Sequence, residues 1–113
     1  MHLCLGPMSF SDLGLSPELL RALKPKTYPA PTPVQREAIP AALMGRDIWV
    51  TAPTGSGKTV AYVLPVLQLL MATAASRDDA PKKRITQVLV LVPTRELATQ
   101  VSDVLRDLAR PLT

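Results

Sequence analysis

Thr51-Ala52-Pro53-Thr54-Gly55-Ser56-Gly57-Lys58-Thr59 decides how the rest of this 113-residue chain is read. The stretch lies between Asp47–Thr51, which reads as a buried strand, and a run that reads as helix from about Gly57 into the Ala72–Ala75 region. Gly55 and Gly57 permit turns that residues with a Cβ resist, and they let backbone amides come close to an anion. The helix that follows aims free N–H groups and positive partial charge at the same point. Lys58 is placed to reach the β and γ phosphates of a nucleotide, and the Thr59 hydroxyl to take Mg²⁺. The reading is a phosphate-binding loop in its strand–loop–helix setting. Ala52 stands where the strict G-x-x-x-x-G-K-[ST] pattern has its first Gly. The plainer alternative is a Gly-rich structural turn, for which Lys58 directly after Gly57 is an odd choice.

Working outward, Ser76 to Arg84 is charged, contains Pro81 and reads as an exposed loop. Gln87–Val92 is continuously apolar after its first residue, as an inner parallel strand should be. Thr94 then caps a last helix, whose Leu97, Val101, Val104, Leu105 and Leu108 recur at helical spacing. Upstream, Ser16-Pro17-Glu18 is a helix start, with a serine cap, proline in the first turn and an early acid. Pro25 ends that helix. Thr32-Pro33-Val34-Gln35 is a second start, with Gln35 where a capping-box glutamine belongs. Pro40 breaks or kinks this helix near Ile39, and Gly45 closes it. The order helix-helix-strand-helix-strand-helix predicts an α/β fold on a parallel sheet.

Composition agrees with a single globular domain: 47% hydrophobic, 19% charged, and 13 Lys+Arg against 9 Asp+Glu. The net charge of +4 permits an anionic partner without demanding one. With one cysteine, Cys4, and one histidine, His2, the chain has no internal disulfide partner and cannot build a zinc site. A reducing, cytoplasmic setting is the expectation. The longest apolar stretch, Val60 to Ala75, is interrupted by Pro65 and Gln68, and reads as a buried helix rather than a membrane span. Met1–Pro7 lacks the basic start of a signal peptide and reads as an extension ahead of a start at Met8.

Taken together, these stretches resemble the N-terminal part of the DEAD-box ATP-dependent RNA helicases, the bacterial members in particular. Tyr28-Pro29-Ala30-Pro31-Thr32-Pro33-Val34-Gln35 resembles the family's Q motif, with Phe10 as its upstream aromatic. Ala52–Thr59 is similar to the family's own Walker A form, A-x-T-G-x-G-K-T, so that Ala52 becomes a match. Pro93-Thr94-Arg95-Glu96-Leu97-Ala98 resembles motif Ia. Thr27 departs from the family's usual Gly, and Ala30 from its common charged residue.

The resemblance implies a partial RecA-like P-loop domain, its parallel sheet flanked by helices, over residues 8–113 and cut short after motif Ia, with residues 1–7 as a non-native or disordered extension. It implies ATP and Mg²⁺ as cofactors. Phe10, Tyr28, Gln35, Thr54, Gly55, Ser56, Gly57, Lys58 and Thr59 would hold the nucleotide, with Thr59 toward the metal. Pro93, Thr94 and Arg95 would bind the backbone of single-stranded RNA. Gln35 carries one carbonyl and one NH₂, the pair that matches adenine N6 and N7, so it would favour ATP over GTP. On the residues alone, Gln35 is equally a helix cap, Phe10 a core residue, Thr94 an N-cap and Arg95 a solvated charge. Lys82-Lys83-Arg84 reads as a solvated loop beside Asp78 and Asp79. No Asp-Glu-Ala-Asp run occurs in the chain, so Lys58 and Thr59 are an incomplete catalytic set. RNA remodelling is then expected only of a longer protein, for which ribosomal or RNA-decay assemblies are the expected company. The alternative is a nucleotide-binding P-loop module without helicase activity. A GTPase is disfavoured, because the chain has no Asn for an Asn-Lys-x-Asp motif.

Overall fold

Four helix starts in the sequence carry the architecture, and a computed structural model describes residues 8–24, 30–75 and 85–112. Helix α1, Pro17–Leu23, opens on Ser16, whose hydroxyl accepts from the Leu19 N–H. Helix α2, Pro33–Leu43, opens on Thr32 with a complete capping box to Gln35. Helix α3, Lys58–Ala75, leaves the glycine loop directly. Helix α4, Arg95–Ala109, opens on Thr94, whose hydroxyl accepts from the Leu97 N–H at 3.2 Å. Two short 3₁₀ turns complete the regular structure among the described residues, Phe10–Leu13 before α1 and Arg110–Leu112 after α4. The first is held by the Ser9 N–H donating to the Asp12 carboxylate at 2.9 Å.

The core forms where these pieces meet on α3. Phe10, Leu13 and Leu15 from the N-terminal turn pack with Leu19 and Leu23 of α1 and Ile39 of α2. Val60, Val63, Leu64 and Leu67 of α3 and Leu108 of α4 close the same cluster. Of the break or kink expected near Ile39, the break is absent, since Pro40 lies inside α2. The helix continues to Leu43, with Ala38 and Ile39 buried. A proline inside a helix costs about 3 kcal/mol, and here the apolar packing around Ile39 outweighs it. Pro65 lies inside α3 in the same way. Among the described residues no helix is long and apolar enough to cross a membrane.

The parallel sheet is the expectation that fails. Among the described residues there is no β-strand; Asp47–Thr51 and Gln87–Val92 form no ladder. The reason is physical. Val, Leu and Ile supply a side-chain pattern that suits a strand, but a strand exists only through backbone hydrogen bonds to a neighbour. The two segments border different helices. Ile48 and Val50 line a cavity with Pro33, Val34, Glu37 and Ala38 of α2, whereas Val88 and Val90 lie against Tyr62, Val63, Val66 and Leu70 of α3 and Leu105 of α4. The period-two alternation survives without the ladder: Leu89 and Leu91 are 78% and 83% exposed, and Trp49 is 94% exposed. The chain as described is therefore a helical assembly and not a RecA-like sheet.

Candidate functional site

The glycine loop turns at Thr54–Gly55, with the Ser56 N–H donating to the Pro53 carbonyl at 3.2 Å. Gly55 and Gly57 have φ of 83° and 90°, the left-handed region where a side chain is strained. The Gly57 carbonyl accepts from the Ala61 N–H at 3.2 Å, so the loop runs into α3 without a gap. An 18-residue helix thus presents its N-terminal end at the loop. Lys58 Nζ reaches across and donates to the Ala52 carbonyl at 2.6 Å. Thr59 is half-buried behind it, and the Ser56 hydroxyl oxygen is buried with no hydrogen-bond partner among the described residues. A cavity of about 710 Å³ opens beside Gly55 and Ser56, between the 48–53 segment and α2.

Gln35 is the hinge between the second helix start and this loop. It is 2% exposed, the one buried polar side chain among the described residues. Its Oε1 accepts from the Thr32 N–H at 3.0 Å and its Nε2 donates to the Gly57 carbonyl at 3.1 Å. The capping role read from the sequence is present, and the same amide also ties α2 to the glycine loop. Both amide groups are engaged within the chain, so a reading of adenine by Gln35 has almost no exposed surface to work from. The tie is tight enough that a Cβ on Gly57 would run into Gln35 Nε2 and lie 3.1 Å from Thr32 Oγ1.

The remaining expected residues lie elsewhere. Phe10 is 7% exposed and packs in the core cluster. Tyr28 falls in residues 25–29, outside the described residues, as do Pro25, Pro81 and Lys82-Lys83-Arg84. Pro93, Thr94 and Arg95 are exposed together at the start of α4, where the Thr94 hydroxyl serves as the cap. Among the described residues, no group of three or more His, Cys, Asp or Glu side chains could hold a metal ion. Gln68 was missed: the sequence shows it as a lone polar residue in an apolar helix, and the structure bonds it at both ends to the segment before α1. The N-terminal 3₁₀ turn carries a local signal in the sequence, Ser9 followed three residues later by Asp12.

A glycine loop running into a helix N-terminus, with a lysine and a threonine at its mouth, is the arrangement of the P-loop class. The profile of the DEAD/DEAH box helicase family matches residues 32–113, and the chain belongs to that family. It is 49% identical to the ATP-dependent RNA helicase SrmB of Escherichia coli over 102 residues, which are 90% of this chain and 22% of SrmB. It is 53% identical to the ATP-dependent RNA helicase dbp-9 of Neurospora crassa over 94 residues, 83% of this chain and 13% of that protein. Among solved structures, the RNA helicase Prp28 of Chaetomium thermophilum bound to ADP superposes with a TM-score of 0.78 at 40% identity. That match covers 96% of this chain and 26% of the Prp28 chain. The chain thus spans about a fifth of the length of SrmB.

Proposed function

We propose that this chain carries the nucleotide-phosphate and RNA-backbone elements of an ATP-dependent RNA helicase. The observation that carries the proposal is the loop itself: Gly55 and Gly57 at positive φ, Lys58 Nζ across the loop, and α3 beginning at its end. The residues present fit a phosphate chain. The buried Ser56 hydroxyl lacks a partner among the described residues. Lys58 spends its charge on a neutral carbonyl, and a phosphate is the stronger acceptor because the bond is then charge-assisted on both sides. Thr54–Thr59 would hold the phosphates of ATP, and Mg²⁺ would be shared between them and the Thr59 hydroxyl, since one hydroxyl cannot hold the ion alone. ATP supplies the free energy for remodelling RNA; the chain's own residues bind and orient its phosphates.

In this reading Gln35 serves the nucleotide by holding the loop, through Gly57, rather than by facing the base. Thr94 and Arg95 open α4, where a hydroxyl, a guanidinium and free amides converge, a combination that positions a phosphate backbone without reading its sequence. The names of SrmB and dbp-9 support RNA as the polymer, and ADP in Prp28 supports an adenine nucleotide. The experiment is a titration of the chain with a fluorescent ADP, beside its Lys58→Ala form, followed by cross-linking to single-stranded RNA with and without Arg95→Ala. Equal ADP affinity in both forms of position 58 would overturn the assignment of the loop.

A further inference from the structure

Gln68 sits on α3 between Leu67 and Leu69, and its amide is used at both ends. Oε1 accepts from the Ser16 N–H at 2.7 Å, and Nε2 donates to the Gly14 carbonyl at 3.1 Å. Both partners belong to the link between the N-terminal 3₁₀ turn and α1, and Ser16 is itself the cap of α1. The link cannot slide along α3 without losing both bonds. The segment it pins packs against both α2 and α3. Phe10, Leu13 and Leu15 share one core cluster with Ile39 of α2 and with Val60, Val63, Leu64 and Leu67 of α3. A Cβ at Gly14 would lie in ordinary van der Waals contact with Leu43 Cδ1 of α2, at 3.5 Å.

The packing of α2 on α3 sets the distance from Gln35 Nε2 to the Gly57 carbonyl. Gln68 therefore acts on the same helix pair as Gln35, about three turns or roughly 16 Å further along α3. We propose that Gln68 is a positioning residue for the phosphate loop. Its amide fixes the Phe10–Ser16 segment, the segment's core contacts steady α2 on α3, and that packing holds Gln35 on Gly57. A carboxamide suits the task because it offers one donor and one acceptor to a backbone that presents one of each. Glutamate would keep the acceptor for Ser16 and set an oxygen against the Gly14 carbonyl; methionine would keep the length and lose both bonds.

The proposal rests on the nucleotide reading only for its second readout. The experiment uses the full chain as wild type, Gln68→Met, Gln68→Glu and Lys58→Ala. Hydrogen exchange by NMR follows the Ser16 N–H, bonded to Gln68, and the Thr32 N–H, bonded to Gln35. In Gln68→Met both amides are expected to exchange about tenfold faster, the factor for one hydrogen bond at the upper end of its net worth, with the α4 amides unchanged. Affinity for fluorescent ADP is expected to fall by about five- to tenfold in the same variant. Faster exchange at Ser16 alone, with Thr32 and ADP affinity unmoved, shows a local tie only and overturns the proposal. Lys58→Ala is expected to lose ADP while leaving Thr32 protected. If the wild type does not bind ADP, the nucleotide reading fails, and the Thr32 exchange still decides the role of Gln68. If Gln68→Met does not fold, Gln68→Glu, which keeps the Ser16 bond and loses the one to Gly14, carries the comparison through Thr32 exchange and ADP affinity; failure of both to fold makes Gln68 a core residue and refutes a positioning role.

Discussion

Gly57→Ala should be far more damaging than Gly55→Ala, although both glycines lie in one loop at nearly the same φ. Each substitution places an L side chain at positive φ, which costs of order 1–3 kcal/mol. At Gly55 that is the whole effect, because a Cβ there meets nothing within 4 Å. At Gly57 the Cβ collides with Gln35 Nε2 and crowds Thr32 Oγ1. Gln35 must leave, and its two side-chain bonds go with it, to the Thr32 N–H and to the Gly57 carbonyl. Losing those part-buried bonds, and with them the partners of the buried Gln35 amide, adds about 1–3 kcal/mol. The expected difference between the two variants is therefore about 1–3 kcal/mol in unfolding free energy, read by urea titration with far-UV circular dichroism. A cycle with Gln35→Ala isolates the cause. Once the Gln35 side chain is gone, Gly57→Ala should cost only about as much as Gly55→Ala, a coupling well beyond the roughly 0.3–0.5 kcal/mol scatter of independent sites. Equal costs for the two glycine variants, or an additive cycle, would refute the idea that Gly57 is demanded by Gln35 and leave phosphate approach as its sole reason.

The other predictions concern ligand and cap. Lys58→Ala should weaken ADP and ATP by about ten- to a hundredfold, the loss of a charge-assisted bond worth about 1.5–3 kcal/mol, measured by fluorescence titration. Gln35→Ala should weaken ATP and GTP alike, because its amide holds the loop; a loss confined to ATP would show that the amide leaves Gly57 to read the base. Thr94→Ala should destabilise the chain by about 1 kcal/mol through loss of the α4 cap, while Thr94→Ser restores it in thermal denaturation. Phosphate release by the 113-residue polypeptide should stay at background with or without RNA, because its sequence holds no acid run to bind the metal and orient water. RNA-stimulated turnover abolished by Lys58→Ala would show otherwise.

What could be read from the sequence was whatever depends on a few neighbouring residues. Ser16, Thr32 and Thr94 cap their helices as their local patterns require, and the capping box at Gln35 is a three-residue affair. The glycine loop was equally local. The sheet was not: Val88 and Val90 show which face turns inward, but no run of side chains can state which backbone lies alongside. At Pro40 the choice between a break and a kink was not local either, since the burial of Ile39 that holds α2 together comes from other parts of the chain. Gln35 to Gly57 spans 22 residues and Gln68 to Ser16 spans 52, and nothing in either local pattern announces the distant partner. Those two amides are also what make the candidate site more than a loop, so the locally legible part was the chemistry and the illegible part was its support.

Trp49, the chain's one tryptophan, stands almost wholly in water. An indole in that setting emits at long wavelength and is open to collisional quenchers such as acrylamide. It also sits in the middle of Asp47–Thr51, the segment that found no neighbour to pair with. Whatever comes to lie on that face must cover the ring, moving its emission to the blue and shielding it from quencher. The protein therefore carries its own optical gauge of anything that packs on that face, with no dye to attach and no second tryptophan to confuse the signal.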